Sequence, residues 1–508
     1  MNPKRVVMVP AILVLMAIFA ACGGGAPQTY TVGGSISGLG AGKGIALLEA
    51  VSGQTLSLTE NGSFTFPTAL ADGAEYRVEI ATNPAAQGCI IENGAGQVGG
   101  ADVTDVSLTC GDSGTLDASF ADQGKLVEPM MVPIFEVSAL TLQADGKIVA
   151  AGSYYDSGDH SSNYVFLRTD ADGNYDGGFG SGGKVTINYD SDYVVDVQVL
   201  EGGDVLFAGG GLGDFILGRL GSDGQQEYLK NTNFDSSAYE RPVALFVGDD
   251  GITVVGWIRE QVGSTTVERV GFARYKDNGD LDPAFGSGGL LVKPYADSSV
   301  GVRVVDVVRL PDGKFVVLGE TRPSSASDYD IALARFDADG SLDTSFGSSG
   351  WVTLDIEGDD QYADALALQP DGKLVMVGRS YDGSEYQIVL SRLLPDGSLD
   401  SEFADAGMLL EDLGGDYERF DDVAVQTDGK ILAAGLIRDS SGEEKLALVR
   451  YLADGSRDAD FGDDGVATFV LESGYDSYAS TILIQPDGRI LVGGSAKGEA
   501  LGIIRVWQ

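Results

Sequence analysis

The chain has 508 residues, 43% of them hydrophobic, which is enough to build several cores. Its 33 Lys and Arg stand against 76 Asp and Glu, a net charge of -43 that excludes nucleic acid and anionic lipid surfaces as electrostatic partners. The 73 glycines have no collagen-like period and read as tight β-turns.

Residues 1–5 are M-N-P-K-R, and an apolar run of 16 residues follows from Val6 to Ala21. A basic start and an apolar run short for a spanning helix make the pattern of an export signal. Ile18-Phe19-Ala20-Ala21-Cys22 resembles the lipobox of bacterial lipoproteins, with Phe19 where such boxes usually carry Leu. The resemblance implies removal of residues 1–21, lipid on Cys22 and, with Gly23 after the cysteine, the outer membrane. Residues 22–28, through G-G-G-A-P, then form a flexible tether. The expected location is the bacterial cell envelope, with the membrane held through the lipid alone.

Residues 29–111 carry short alternating strands: Y-T-V-G-G-S-I-S-G, I-A-L-L-E-A, L-S-L-T-E-N-G-S-F-T-F, Y-R-V-E-I-A and V-T-D-V-S-L-T-C. Asn61-Gly62 between two of them predicts a hairpin with a type I′ turn. The stretch reads as a small β-sandwich, and it resembles the β modules that follow the lipid anchor in many bacterial surface lipoproteins. With Cys22 assigned to lipid, Cys89 and Cys110 are left as one pair, and an exported protein keeps such a pair oxidised. The disulfide is expected to contribute on the order of 3 kcal/mol to a module with a small core.

From 112 to 508 one pattern recurs: L-D-x-x-F-G, a short strand, an apolar strand, Q-P-D-G-K, a second apolar strand and a last strand ending in Arg. Its seven copies align on Phe120, Phe179, Phe234, Phe285, Phe346, Phe403 and Phe461, at intervals of 59, 55, 51, 61, 57 and 58 residues. Such a period means a repeat architecture. K-I-V-A-A-G and K-L-V-M-V-G are apolar on both faces, so neighbouring sheets must bury them on both sides. Radially packed four-stranded blades meet that need, and copies without polar caps favour a closed ring, cut between two blades. D-A-D-G-S-L-D-T-S-F-G and L-Q-P-D-G-K resemble the delta-60 repeat of bacterial surface and secreted proteins, a β-propeller family of unassigned activity. The second and third copies are worn, with L-E-G-G-D and N-T-N-F in place of Q-P-D-G-K and L-D-x-x-F. The expected fold is all-β: a lipoprotein signal peptide, a small β-sandwich domain and a seven-bladed β-propeller over 112–508.

Arginine recurs once per copy, at Arg168, Arg219, Arg274, Arg335, Arg392, Arg450 and Arg505. Three residues before each Phe stands Asp117, Asp176, Asn231, Asp282, Asp343, Asp400 or Asp458. A guanidinium beside a carboxylate in every copy predicts an inter-blade structural tie. The glycines ending the third strand, Gly152, Gly209, Gly256, Gly319, Gly378, Gly435 and Gly494, predict close backbone approach. The D-G turns and L-D-x-x-F-G connectors make one uniform face. The opposite face holds the varied loops and the candidate binding residues Tyr155, Asp190, Asp192, Tyr193, Asp359, Asp360, Tyr362, Asp416, Tyr417, Tyr475 and Asp476.

His160 is the only histidine, which removes Ser-His-Asp, Cys-His and multi-histidine metal chemistry. D-A-D-G-N-Y-D (170–176) and D-A-D-G-S-L-D (337–343) have calcium-loop spacing, but lack the third liganding position and the distant Glu. No catalytic residue, metal or cofactor is therefore expected, with calcium as the alternative. The functional expectation is a non-catalytic binding or scaffold protein for an envelope protein or glycan. A carbohydrate hydrolase or lyase with funnel carboxylates, and a purely structural envelope component, are the alternatives.

Overall fold

The computed structural model describes residues 28–508 apart from 130–134, 157–160, 189–190, 235–238, 263–264, 296–301, 323–327, 357–359, 382–385 and 497–499. The export signal, Cys22, the tether before residue 28, His160, Asp190 and Asp359 thus lie outside the described residues. The chain divides into two compact units, Met1–Thr82 with Ile91–Thr109 and Asn83–Ile90 with Cys110–Gln508. Every regular element among the described residues is a β-strand.

The first unit is built on two four-stranded sheets. One has the order Gly62–Thr65, Val32–Ser37, Val103–Asp112, Gln87–Glu92, most of its last strand and the end of the third counted by the division above with the second unit, and the other Gln54–Leu58, Ile45–Glu49, Glu75–Thr82, Ala95–Gln97. Alternation drives both, with Val32, Ile36, Ile45, Leu47, Phe64, Val78, Val106 and Leu108 buried. Asn61-Gly62 does not close a hairpin. The strand before it pairs with Ile45–Glu49 and the strand after it with Val32–Ser37, so the chain crosses here from one sheet to the other. Asn61 serves that crossing through its side chain, accepting from Leu39 N at 2.9 Å and donating to Leu39 O at 2.8 Å. Cys89 and Cys110, both within the segments counted with the second unit, are joined in a disulfide.

The second unit contains, among the described residues, seven four-stranded antiparallel sheets. The first runs Phe135–Leu142, Ile148–Asp156, Ser161–Thr169, Lys184–Asn188 in simple up-and-down order. Its first strand is the innermost, and the corresponding strands of the other sheets are Ser191–Val199, Tyr239–Gly248, Val302–Arg309, Gln361–Leu368, Tyr417–Val425 and Ser477–Ile484. Each lies beside the next, and the first lies beside the last, so the sheets close on themselves. Second strands such as Val205–Gly211 and Phe315–Thr321 are buried along their whole length, as their two-sided apolar sequence requires.

The strand order corrects two expectations. L-D-x-x-F-G is a turn within a sheet, because the short strand after it pairs back on the Arg-bearing strand, as Lys184–Asn188 does on Ser161–Thr169. The connectors between sheets are therefore the varied loops. Faces keep their composition: D-G and L-D-x-x-F-G turns lie at one end of the sheets and both sets of varied loops at the other. Closure falls inside the last sheet, where Lys125–Pro129 pairs with Ala500–Val506 as its fourth strand. Asp117 N donates to Arg505 O at 2.8 Å and Trp507 N to Thr115 O at 2.9 Å, so the start and end of the repeat array are bonded together.

Candidate binding site on the variable face

Each innermost strand carries a β-bulge opposite the recurring glycine. The register skips Ser138, Val195, Val243, Val305, Asp364, Asp421 and Ser480, each of which follows the partner of Gly152, Gly209, Gly256, Gly319, Gly378, Gly435 or Gly494. The glycine is required by the backbone opposite. A Cβ on Gly435 would stand 2.0 Å from the Arg419 carbonyl oxygen, and one on Gly319 2.1 Å from that of Arg303.

The bulge sets the chemistry at three positions. The skipped residues of the first four sheets, Ser138, Val195, Val243 and Val305, line one cavity of about 480 Å³. Two residues earlier, toward the varied loops, the described side chains are Tyr193, Arg241, Arg303, Tyr362, Arg419 and Tyr478. One residue later stand Asp196, Asp306 and Asp422 in alternate sheets. The carboxylate of Asp196 accepts from Val197 N at 2.7 Å and from Leu245 N of the next sheet at 2.9 Å. Asp306 repeats this with Val307 and Leu366, and Asp422 with Val423 and Ile482. Burial pushes Asp196 and Asp306 up to about 7 and Asp422 up to about 6, against the backbone bonds that hold each charge.

Beyond the bulges, the fourth to sixth sheets bring five tyrosines into ring-to-ring series. Tyr329 lies 6.2 Å from Tyr362, Tyr362 6.2 Å from Tyr386, and Tyr386 4.8 Å from Tyr381 and 5.8 Å from Tyr417. Arg379 sits among them. It grips Asp364 through Nε at 3.0 Å and the adjacent amino group at 3.1 Å, and donates to the Tyr417 hydroxyl at 2.8 Å. Its guanidinium lies 5.6 and 5.7 Å from the Tyr362 and Tyr386 ring centres. Burial, followed by the charge of Asp360, pushes Tyr362 up to about 12. Burial also pushes Asp364 up to about 7 despite Arg379, and Glu320 up to about 7 despite Arg303 and Arg379. Glu320 is 4% exposed, and one carboxylate oxygen is buried with no partner among the described residues.

The predicted site residues separate on this frame. Tyr362 and Tyr417 belong to the tyrosine series, and Asp360 orders its edge by accepting from Tyr329 N at 2.9 Å. Tyr193 lies two sheets away, its hydroxyl accepting from Arg241 Nε at 2.6 Å. Tyr475 is exposed and Asp476 accepts from Glu444 N at 3.1 Å, both around the last two sheets, while Asp416 is exposed at the start of the sixth. Tyr155 and Asp192 fall within strands at the same end of their sheets. The prediction missed Tyr329, Tyr381, Tyr386 and the axial arginines. A signal existed for the bulge acids: V-V-D-V at 194–197 and 304–307 and F-D-D-V at 420–423 put an acid into an apolar strand in every second copy.

The repeated arginines sit at the uniform end. Arg168 pairs with Asp176 at 2.9 Å, Arg335 with Asp343 at 2.7 Å, Arg392 with Asp400 and Arg450 with Asp458 at 2.8 Å, and Arg505 with Asp117 at 2.7 Å. Each pair lies within one sheet, and the tie to the next is a second bond. Arg168, Arg274, Arg335, Arg392 and Arg505 donate to a backbone oxygen of the following sheet at 2.5 to 2.7 Å. Guanidinium-to-ring distances of 4.2 to 4.9 Å place six of the arginines over the repeat Phe. Two copies depart from the expected acid. Arg219 pairs with Asp204 and Glu227 rather than reaching for Asn231, and Arg274 pairs with Asp250 at 3.1 Å instead of Asp282. The 170–176 turn uses its own acid, Asp170, to accept from Asp172 N at 3.0 Å and Asn174 N at 2.9 Å.

Five segments, 143–179, 310–346, 369–403, 426–461 and 485–507, match the family described as "Domain of unknown function (DUF5122) beta-propeller". The second unit is a β-propeller. Solved propeller-like structures are similar to it at low identity. "YCF48 bound to D1 peptide" is 14% identical, with 77% of this chain and 99% of that one covered at a TM-score of 0.41. The polysaccharide lyase Uly1 is 11% identical, with 73% and 90% covered at 0.43, and Sqt1 from Chaetomium thermophilum 13%, with 75% and 100% covered at 0.41. No curated protein matches the chain. At these values no activity passes from those structures to this propeller.

Proposed function

We propose that this chain is a lipid-anchored envelope protein whose seven sheets are the blades of one propeller, following a small β-sandwich, and that it acts as a non-catalytic binding or scaffold protein through the variable face. The observation that carries the reading is the tyrosine series of the fourth to sixth sheets, knit by Arg379. Half-buried tyrosines offer large rigid contact area at low entropic cost, with hydroxyls left for polar contacts. The carboxylate of Asp364 beside them is occupied, since Arg379 holds it through two bonds. A nucleophile or base held in that way is poorly placed for glycoside chemistry. The hydrolase or lyase reading draws on Asp364 and Glu320, both pushed up to about 7, where an acid can exchange protons near neutral pH.

The test is a thermal melt of the mature protein against two soluble pools, envelope oligosaccharides and mixed-sequence decapeptides. One pool should raise the melting temperature, by mass action on the folded state, and Tyr362→Ala and Tyr386→Ala should each remove the rise. A rise that survives both substitutions, or steady consumption of either pool, would sink the binding reading.

A further inference from the structure

The cavity of the first four sheets has a composition unlike the rest of this acidic surface. Its walls are Val194, Val195, Pro242, Val243, Val304 and Val305, with Trp257 beside them and Ser138 as the one small hydroxyl. Two guanidiniums border it, those of Arg241 and Arg303. Arg241 lies 4.2 Å from the Tyr193 ring centre and donates to its hydroxyl at 2.6 Å. Arg303 stands opposite Glu320 in the strand pairing and acts on its charge without a close ion pair, whereas Arg379 and Arg419 just beyond are paired with Asp364 and Asp421. Two guanidiniums at the border of an apolar pocket, in a chain of net charge -43, put positive groups where a carboxylate can meet them.

That combination selects among ligands. A neutral sugar needs many hydrogen-bond partners, and valine and proline walls supply none. A phosphate would leave those walls uncovered. A carboxylate carried on an apolar body satisfies both parts, the fork of a guanidinium meeting the carboxylate and the apolar part displacing water from the valines. The volume of about 480 Å³ is ample for a terminal residue and its neighbour. We propose that this axial pocket captures the C-terminal carboxylate of a partner peptide whose last side chain is apolar. The proposal deepens the binding reading and rests on it.

Trp257 provides the probe, since it lines the pocket and is 7% exposed. The mature protein is titrated with acetyl-Ala-Ala-Leu carrying a free carboxylate, with the same peptide as its C-terminal amide, and with 4-methylpentanoate. Binding is followed by calorimetry and by Trp257 fluorescence, with Trp257→Phe to assign the signal. The acid peptide should bind at least tenfold more tightly than the amide and than the free acid. Arg241→Gln and Arg303→Gln should each weaken it about tenfold or more, with Arg→Lys at either site recovering part of the loss, while melting temperature stays near that of the parent. Equal binding of acid and amide, arginine variants that bind as the parent does, or binding of the free acid as tightly as the peptide would overturn the proposal. Ligand rises that need Tyr362 and Tyr386 would then still stand, so the two readings fail separately.

Discussion

Gly435 puts the residue-scale argument most sharply. It is an ordinary strand residue in its dihedrals, yet a Cβ there would overlap the Arg419 carbonyl oxygen and come within 2.6 Å of the Phe420 Cα. Both contacts are backbone, which cannot rotate away. Gly435→Ala is therefore expected to destabilise by about 1–3 kcal/mol, the range for forcing extra volume into packed structure, and to flatten the bulge that sets Asp421 and Asp422. Denaturant midpoints of the variant and parent measure this, and an unchanged midpoint would mean the bulge has room to spare. Recurrence made the glycines legible in the sequence, but the bulge itself was not, because one skipped register residue changes no composition. The worn second copy teaches the same limit. Asp204 occupies the place that Lys147 holds in the first copy, so the charge lost at Asn231 returns from another position, and a column-by-column reading of the motif misses the compensation.

At the scale of the element, the innermost strands are joined by alternate carboxylates, Asp196, Asp306 and Asp422, each bridging its own backbone and that of the next sheet. Asp196 and Asp306 each also sense the charge of Asp422 across the ring, and Asp422 senses its neighbour Asp421. Their folded pKa values, about 7, 7 and 6, lie above the ordinary 3.8. Between those limits the native state keeps protons that the unfolded chain has released, so the contribution to stability is full below about 4 and is lost as pH rises through about 6 to 7. Melting temperature is expected to fall over that window, and the triple Asn variant to flatten the fall. A triple variant with the parent's slope would assign the titration elsewhere. Glu49 in the first unit runs the opposite way. Burial raises its carboxyl, but bonds from Ser52, Arg77 N and Val51 N outweigh burial and hold it below its usual range. Its contribution is present above the unfolded value and is lost as pH falls through the folded one, so Glu49→Gln should matter least in acid. Period and apolar runs were enough to read strand number and the two faces of the array. Which tyrosines meet was not readable, because Tyr329, Tyr362, Tyr386 and Tyr417 come from loops and strands whose approach depends on how neighbouring sheets pack.

For the propeller as a whole, the weakest place should be where the chain begins and ends. A periodic sequence fits any cyclic starting point equally, so the repeat pattern could not say whether the ring is cut between sheets or within one; pairing of Lys125–Pro129 with Ala500–Val506 decides it. At this seam Arg505, 0% exposed, pairs with Asp117, 2% exposed, and Arg489 joins at 2.9 Å. The sixth sheet holds a matched set, Arg450 with Asp458 and Lys430 at 3.1 Å from the same acid. Removing the arginine leaves the acid with its second cation in either place, Arg489 at the seam and Lys430 in the sixth sheet, so the electrostatic loss is similar and below the about 3–5 kcal/mol of a buried charge left alone. The difference lies in connectivity. In the sixth sheet a short turn links the third and fourth strands, so they re-pair with little loss of loop entropy. At the seam those strands lie at opposite ends of the propeller chain, and closing them again orders a far longer loop. Arg505→Ala is therefore expected to cost more than Arg450→Ala, and to speed amide exchange in 125–129 and 500–506 ahead of the other sheets. Equal losses with uniform exchange would mean that the packing of the first sheet against the last, and not the seam strand, holds the ring shut.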